Sequence, residues 1–153
     1  MADLRVERLT GAALDSALPE VAKLRIEVFR GWPYLYDGDL EYEGRYLQVY
    51  RDSADAILVG AFDGERLVGA STGTPMLDHA DDFSAAFAAV HVELSDIFYC
   101  AESVLLSQYR GHGVGHQFFD LREQHARDLG LSHAAFCAVI RPPGFHQRDA
   151  PRQ

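Results

Sequence analysis

The sequence predicts a single α/β domain, and three observations carry that prediction. Strand-type and helix-type patterns alternate along most of the 153 residues. Two strand-type runs are joined around Asp63-Gly64, a dipeptide suited to tight hairpin turns. The apolar run Ile97 to Leu106 leads through a loop of three alternating glycines into an amphipathic stretch, the layout of strand, turn and helix. A chain of this length is one domain by size and buries roughly 70% of its unfolded surface.

In order along the chain, Leu4, Val6 and Leu9 mark a short first strand. Val21, Leu24 and Val28 then give a helical face within Glu20 to Arg30, with Pro19 expected in the first turn. Gly31-Trp32-Pro33 ends that helix, and Asp37-Gly38-Asp39 supplies a turn and a cap for the next. The second helix, about Leu40 to Arg51, is expected to carry Tyr42, Tyr46, Val49 and Tyr50 on one side. The hairpin follows as Ala56 to Phe62 and Arg66 to Thr74. Asp81 to Val90, with Phe83 and Phe87 at i, i+4, predicts an extra short helix before the fourth strand. After the glycine loop, Val114, Phe118, Leu121, His125 and Leu129 form one helix face, and Leu131 to Ile140 reads as a fifth strand.

The glycine loop, Gln108-Tyr109-Arg110-Gly111-His112-Gly113-Val114-Gly115, is where chemistry is expected. Glycines let the main chain approach a phosphate closely, and the unsatisfied donors and dipole of a helix start favour negative charge. A P-loop would need Lys and then Ser or Thr after the last glycine, where this chain has His116 and Gln117. A dinucleotide fingerprint spaces its glycines G-x-G-x-x-G, whereas Gly111, Gly113 and Gly115 run G-x-G-x-G late in the chain. What remains is Arg-x-x-Gly-x-Gly, met by Arg110, Gly113 and Gly115.

With its flanks, LLSQYRGHGVGHQFFDLREQHARDLGL from Leu105 to Leu131, this loop resembles the GNAT superfamily of acyl-CoA N-acyltransferases. The resemblance runs from about residue 3 to 141, and Leu67-Val68-Gly69 resembles the family's third strand. It implies a GNAT-type mixed, mostly antiparallel central sheet flanked by helices, as one domain over residues 1–141. It also implies acetyl-CoA as the acyl donor, bound by Val104, Leu105, Leu106, Arg110, Gly111, His112, Gly113, Val114 and Gly115, with the pyrophosphate at the glycine loop. In such a reaction an amine attacks a thioester carbonyl directly. The chemistry needs a base, a donor to the carbonyl oxygen and a proton for the departing thiolate.

For the base, the resemblance points to Glu102, a carboxylate inside the apolar strand; a place on a polar strand face or pairing with an Arg are the competing readings. The carbonyl donor maps to a backbone N–H near Leu105 or Leu106. Tyr99, Ser103 and Cys137 are the candidates for the proton donor, Tyr99 first among them; packing is the plainer reading for each. The acceptor wall would come from the first two helices and their connection, where Arg25, Glu27, Phe29, Trp32, Tyr34, Tyr36, Tyr42, Tyr46 and Tyr50 cluster in sequence. Of these, Arg25, Tyr34 and Tyr36 are the expected substrate contacts; aromatic packing along a helix–sheet seam is the plainer reading.

The family's fold continues past its fifth strand with a helix and two strands, and residues 142–153 read instead as an irregular tail rich in Pro, Arg and Gln. A truncated or frame-altered gene product, an artificial end, or completion by a partner subunit in a homodimer would each account for this. Two functional readings therefore stand: a small-molecule N-acetyltransferase, or a non-catalytic relative that binds coenzyme A or oligomerises.

Composition narrows the partners. Fourteen basic against twenty-three acidic residues give a net charge of −9, which argues against nucleic acid and favours cationic small substrates. No apolar run approaches ~18 residues and the first ten residues lack a basic segment leading into an apolar one, so neither a signal peptide nor a membrane partner is expected. Cys100 and Cys137 are expected to be reduced thiols in a cytoplasmic protein. His112 and His116 lie four apart, but the first precedes the helix and no H-E-x-x-H arrangement exists, so no metal is expected. His125 is expected to be a satisfied core histidine.

Overall fold

In the computed structural model, which describes residues 4–31, 34–79, 85–87 and 91–138, five strands form one sheet in chain order. The elements are β1 (Leu4–Leu9), α1 (Gly11–Phe29), α2 (Leu40–Tyr46), α3 (Gln48–Asp52), β2 (Ile57–Asp63), β3 (Arg66–Pro75), β4 (Ile97–Leu105), α4 (Val114–Asp128) and β5 (His133–Ala135). Single 3-10 turns stand at Met76–His79, Leu94–Asp96 and Ser107–Tyr109. Strands β1 to β4 pair antiparallel and β5 joins β4 in parallel. The sheet is thus mixed and mostly antiparallel, as expected.

Strands β2 and β3 are buried along most of their length, which requires cover on both faces. Helix α1 packs on β3 and β4, with α2 and α3 beside it, and α4 packs across β1 to β4. The core runs from Leu14, Leu18 and Val21 of α1 through Leu58, Val59 and Ala70 of the sheet to Val114 and Phe118 of α4. Glycines on β3 allow this closeness. A Cβ at Gly69 would meet Leu105 at 2.6 Å, and one at Gly73 would meet the Phe98 ring at 2.5 Å.

Three expected elements are corrected. Helix α1 begins at Gly11, so Pro19 lies inside it rather than in its first turn. Leu14 and Leu18 extend the buried stripe backwards, and Pro19 is exposed, so the carbonyl it leaves without a donor faces water. The second helix is two, α2 and α3, meeting at Leu47, and its tyrosines do not share a side. Tyr42 and Tyr46 are exposed, whereas Tyr50 is buried. Strand β5 spans only His133–Ala135, and residues 139 and 140 of the expected strand lie outside the described residues.

The hairpin stands as expected, turning through Gly64 at φ +61°. Asp39 caps α2 by accepting from the Tyr42 N–H at 2.8 Å. His125 is buried, with Nε2 2.9 Å from the Asp55 carbonyl oxygen. Of the expected helix over Asp81 to Val90, residues 85–87 are helical and the rest lies outside the described residues. Trp32 and the tail 142–153 also lie outside them. No helix among the described residues is long and apolar enough to cross a membrane.

Candidate active site

The site is built on β4. Its parallel pairing with β5 covers only Ile97, Phe98 and Tyr99, so among the described residues the edge from Cys100 to Leu105 has no strand beside it. On its other side β4 pairs with β3 through a bulge. Ser71 stands opposite Ser103 and Gly73 opposite Cys100, so β4 carries one residue more than β3 around Thr72.

That extra residue re-aims the side chains. Phe98 packs on His125 of α4, with ring centroids 5.7 Å apart. With strict alternation Glu102 would follow Phe98 and Cys100 onto the α4 face. Beyond the bulge it is Ser103 that meets α4, where its Oγ accepts from Arg122 at 2.9 Å. Glu102 instead turns to α1 and pairs with Arg25.

Arg25 is buried because it sits on the apolar stripe of α1, one turn after Val21. Its NH1 meets Glu102 and its Nε donates to Glu43 of α2, which has no exposed side-chain surface. The Tyr36 hydroxyl donates to the other Glu43 oxygen at 3.0 Å. The Tyr46 and Phe29 rings cover the guanidinium, with centroids 4.1 and 5.1 Å from Cζ. Burial, and then the hydrogen bond to Glu43, push the Tyr36 phenol up to about 12.

The expected residues thus divide. Arg25 and Tyr36 meet Glu102 and Glu43 in one network, whereas Tyr34 is exposed and stacks edge-on to Phe29. Glu102 is not an isolated carboxylate; one of the competing readings, an Arg pair, describes its contact. Glu43 was not singled out from the sequence. The signal for it is Arg25 itself, since a charged residue within an apolar stripe needs a counter-charge.

Arg122 is fully buried on α4 and braces the bulge from the opposite face. Its NH1 donates to the Thr72 carbonyl at 3.2 Å and reaches that of Glu102 at 3.5 Å, and its Nε donates to the Phe118 carbonyl at 3.2 Å. A bulge leaves backbone groups without ladder partners, and this guanidinium supplies donors there. Burial lowers its pKa from the usual arginine value, with the Cys100 and Tyr50 groups opposing that shift.

The backbone settles which N–H groups face the open edge. Leu106 N–H donates to the Val68 carbonyl at 3.0 Å, and Gly69 stands opposite Leu105. In an antiparallel ladder this makes Gly69 and Leu105 a non-hydrogen-bonded pair, whose own N–H and C=O groups point away from each other. Leu105 N–H therefore points to the open edge, and so does that of Ser103, two residues before it. Leu106 N–H is already used, which removes it as the carbonyl donor.

From Leu106 the chain turns through Ser107–Tyr109, held by the Tyr109 hydroxyl donating to Asp63 at 2.7 Å. Gly111 and Gly113 take φ of +84° and +79°, a region that favours glycine, and Gly113 is the N-cap of α4. The cap provides no side-chain hydrogen bond, and the first intrahelical bond is from Gln117 N–H to the Gly113 carbonyl at 3.2 Å. The N–H groups of Val114, Gly115 and His116 thus have no intrahelical acceptor. Gly115 differs from the other two. Its φ is not positive, and a Cβ there would meet nothing within 4 Å. Neither conformation nor packing requires glycine at that position.

Tyr99 packs on His79, with ring centroids 5.1 Å apart. Cys137 is an exposed free thiol and Cys100 a buried one. A cavity of about 240 Å³ opens between α1, α2 and α3, lined by Leu18, Ala22, Leu40 and Leu47 among others; its lining includes neither β4 nor the glycine loop.

No protein-family model and no curated protein sequence matches the chain. Solved structures do match. Aminoglycoside 6'-N-acetyltransferase AAC(6')-Ih from Acinetobacter baumannii is 15% identical, with 98% of this chain and 95% of that one covered at a TM-score of 0.62. A GNAT family acetyltransferase from Staphylococcus aureus is 14% identical, with 96% and 98% covered at 0.59. AAC(6')-Iy bound to a CoA-containing bisubstrate analogue is 12% identical, with 94% and 83% covered at 0.63. Such identities speak to architecture, and the architecture is common to all three: this chain has the fold of the GNAT acetyltransferases.

Proposed function

We propose that this protein is an N-acetyltransferase that takes its acetyl group from acetyl-CoA and passes it to a primary amine of a small-molecule acceptor. One observation carries the reading: the edge of β4, unpaired among the described residues, leads through one turn into an uncapped helix start with a glycine that the fold does not require. A phosphate fits there. The free N–H groups of Val114, Gly115 and His116 supply donors, the helix dipole favours the charge, and the absent side chain at Gly115 leaves room. AAC(6')-Iy, of the same fold, carries a coenzyme A group in its bisubstrate complex, which supports the donor.

Bound acetyl-CoA supplies an activated thioester carbonyl. Leu105 N–H, directed to the open edge, donates to the carbonyl oxygen where negative charge develops. Glu102 takes the proton of the attacking amine, directly or through a water. Tyr99 is the candidate to return a proton to the thiolate. The aminoglycoside acetyltransferases of this fold act on small amine-bearing molecules, and the chain's net charge of −9 favours cationic acceptors.

The test is thiol release from acetyl-CoA in the presence of a panel of small primary amines. At least one amine is expected to support turnover, and Glu102→Gln is expected to reduce it by about 10²-fold or more. A folded protein that releases no thiol with any amine would contradict the proposal.

A further inference from the structure

Arg25 faces two carboxylates with one guanidinium, leaving the trio one negative charge in excess. Such a charge away from water is costly unless a proton or a cation meets it. The two carboxylates are not equivalent. Glu43 is fully buried and accepts from both Arg25 Nε and the Tyr36 hydroxyl. Glu102 has the Arg25 ion pair, and its Oε1 has no hydrogen-bond donor among the described residues. Hydrogen bonds to an ionised carboxylate favour that form, and Glu43 receives two of them while Oε1 of Glu102 receives none among the described residues.

We propose that Glu43 is a positioning residue for the candidate base. By occupying one side of Arg25, it denies Glu102 a full counter-charge and keeps the free Glu102 oxygen a proton acceptor. The assignment rests on the reading of Glu102 as the base.

The other groups around this trio do not replace Glu43. Tyr46 of α2 lies against the guanidinium by its ring face. Burial pushes the Tyr50 phenol of α3 up, so it stays neutral at ordinary pH. Tyr99 of β4 and His79, from the 3-10 turn, stack on one another beside Tyr50. Arg122 of α4 reaches the Glu102 backbone carbonyl and the Ser103 side chain from the opposite face.

The experiment is an NMR titration of the full chain carrying carbon-labelled glutamate, with the Glu102 carboxyl signal identified by its loss in Glu102→Gln. Removing the Glu43 charge relieves repulsion and gives Arg25 wholly to Glu102, so the ionised form gains. Glu43→Gln is therefore expected to move the Glu102 midpoint to lower pH by about one unit or more. Tyr36→Phe removes one donor from the Glu43 carboxylate, so Glu43 takes a share of the proton and the Glu102 midpoint should shift the same way by less. If Glu43→Gln does not fold, Tyr36→Phe decides. A Glu102 midpoint unmoved in the folded variants would overturn the proposal. The titration needs no turnover, so it is separable from the base assignment: full activity in Glu102→Gln would remove that assignment even if the coupling stood.

Discussion

Glu102 reaches Arg25 only because β4 carries an extra residue opposite Thr72, and this is the kind of fact that residue types do not disclose. Its identity as an ionisable group inside an apolar strand was legible; its partner was not, because period-two alternation would send it to the other face. Arg25 was legible as a candidate contact but not as a buried hub, since its role depends on Glu43 from another helix. Arg122 carries no signal in the sequence, and it fills the structural need that the bulge creates. Replacing it with Ala would leave the Thr72 carbonyl and the Ser103 hydroxyl without their donor and open a cavity. Arg122→Ala should cost about 3–5 kcal/mol in urea unfolding. A loss below about 1 kcal/mol would show that the bulge does not need this strut.

The elements show where periodicity suffices and where tertiary contacts override it. The hairpin was legible from its turn dipeptide, and α4 from its apolar stripe. Helix α1 was read too short because Pro19 normally marks a helix start, yet Leu14 and Leu18 bury enough surface to carry the helix through it. The division at Leu47 gave no signal in the apolar pattern. Asp39 did, and it matters for the site because α2 delivers Glu43 to Arg25. Asp39→Ala removes the acceptor for the Tyr42 N–H and should lower stability by about 1 kcal/mol, read as a shift in the denaturation midpoint. An unchanged midpoint would mean that α2 is held by its packing alone.

Across the whole molecule, the order of strands and helices was enough to anticipate a mixed sheet with helices on both faces, and solved structures of the same fold agree. What the order could not convey is the free edge of β4 beyond Tyr99 among the described residues, because it depends on where pairing stops rather than on which residues form strands. That free edge, the outward Leu105 N–H and the uncapped start of α4 follow one another along the chain, so one extended ligand can use all three. The most direct measurement is calorimetric titration of acetyl-CoA into the protein and into Gly115→Glu, in a buffer without phosphate. At Gly115 a side chain meets nothing, and an acidic residue in a helix's first turn is favourable, so the variant should fold as well as the parent. Micromolar binding by the parent and none by the folded variant is the predicted result. A folded parent that does not bind, or a variant that binds as tightly, would contradict the assignment of the loop.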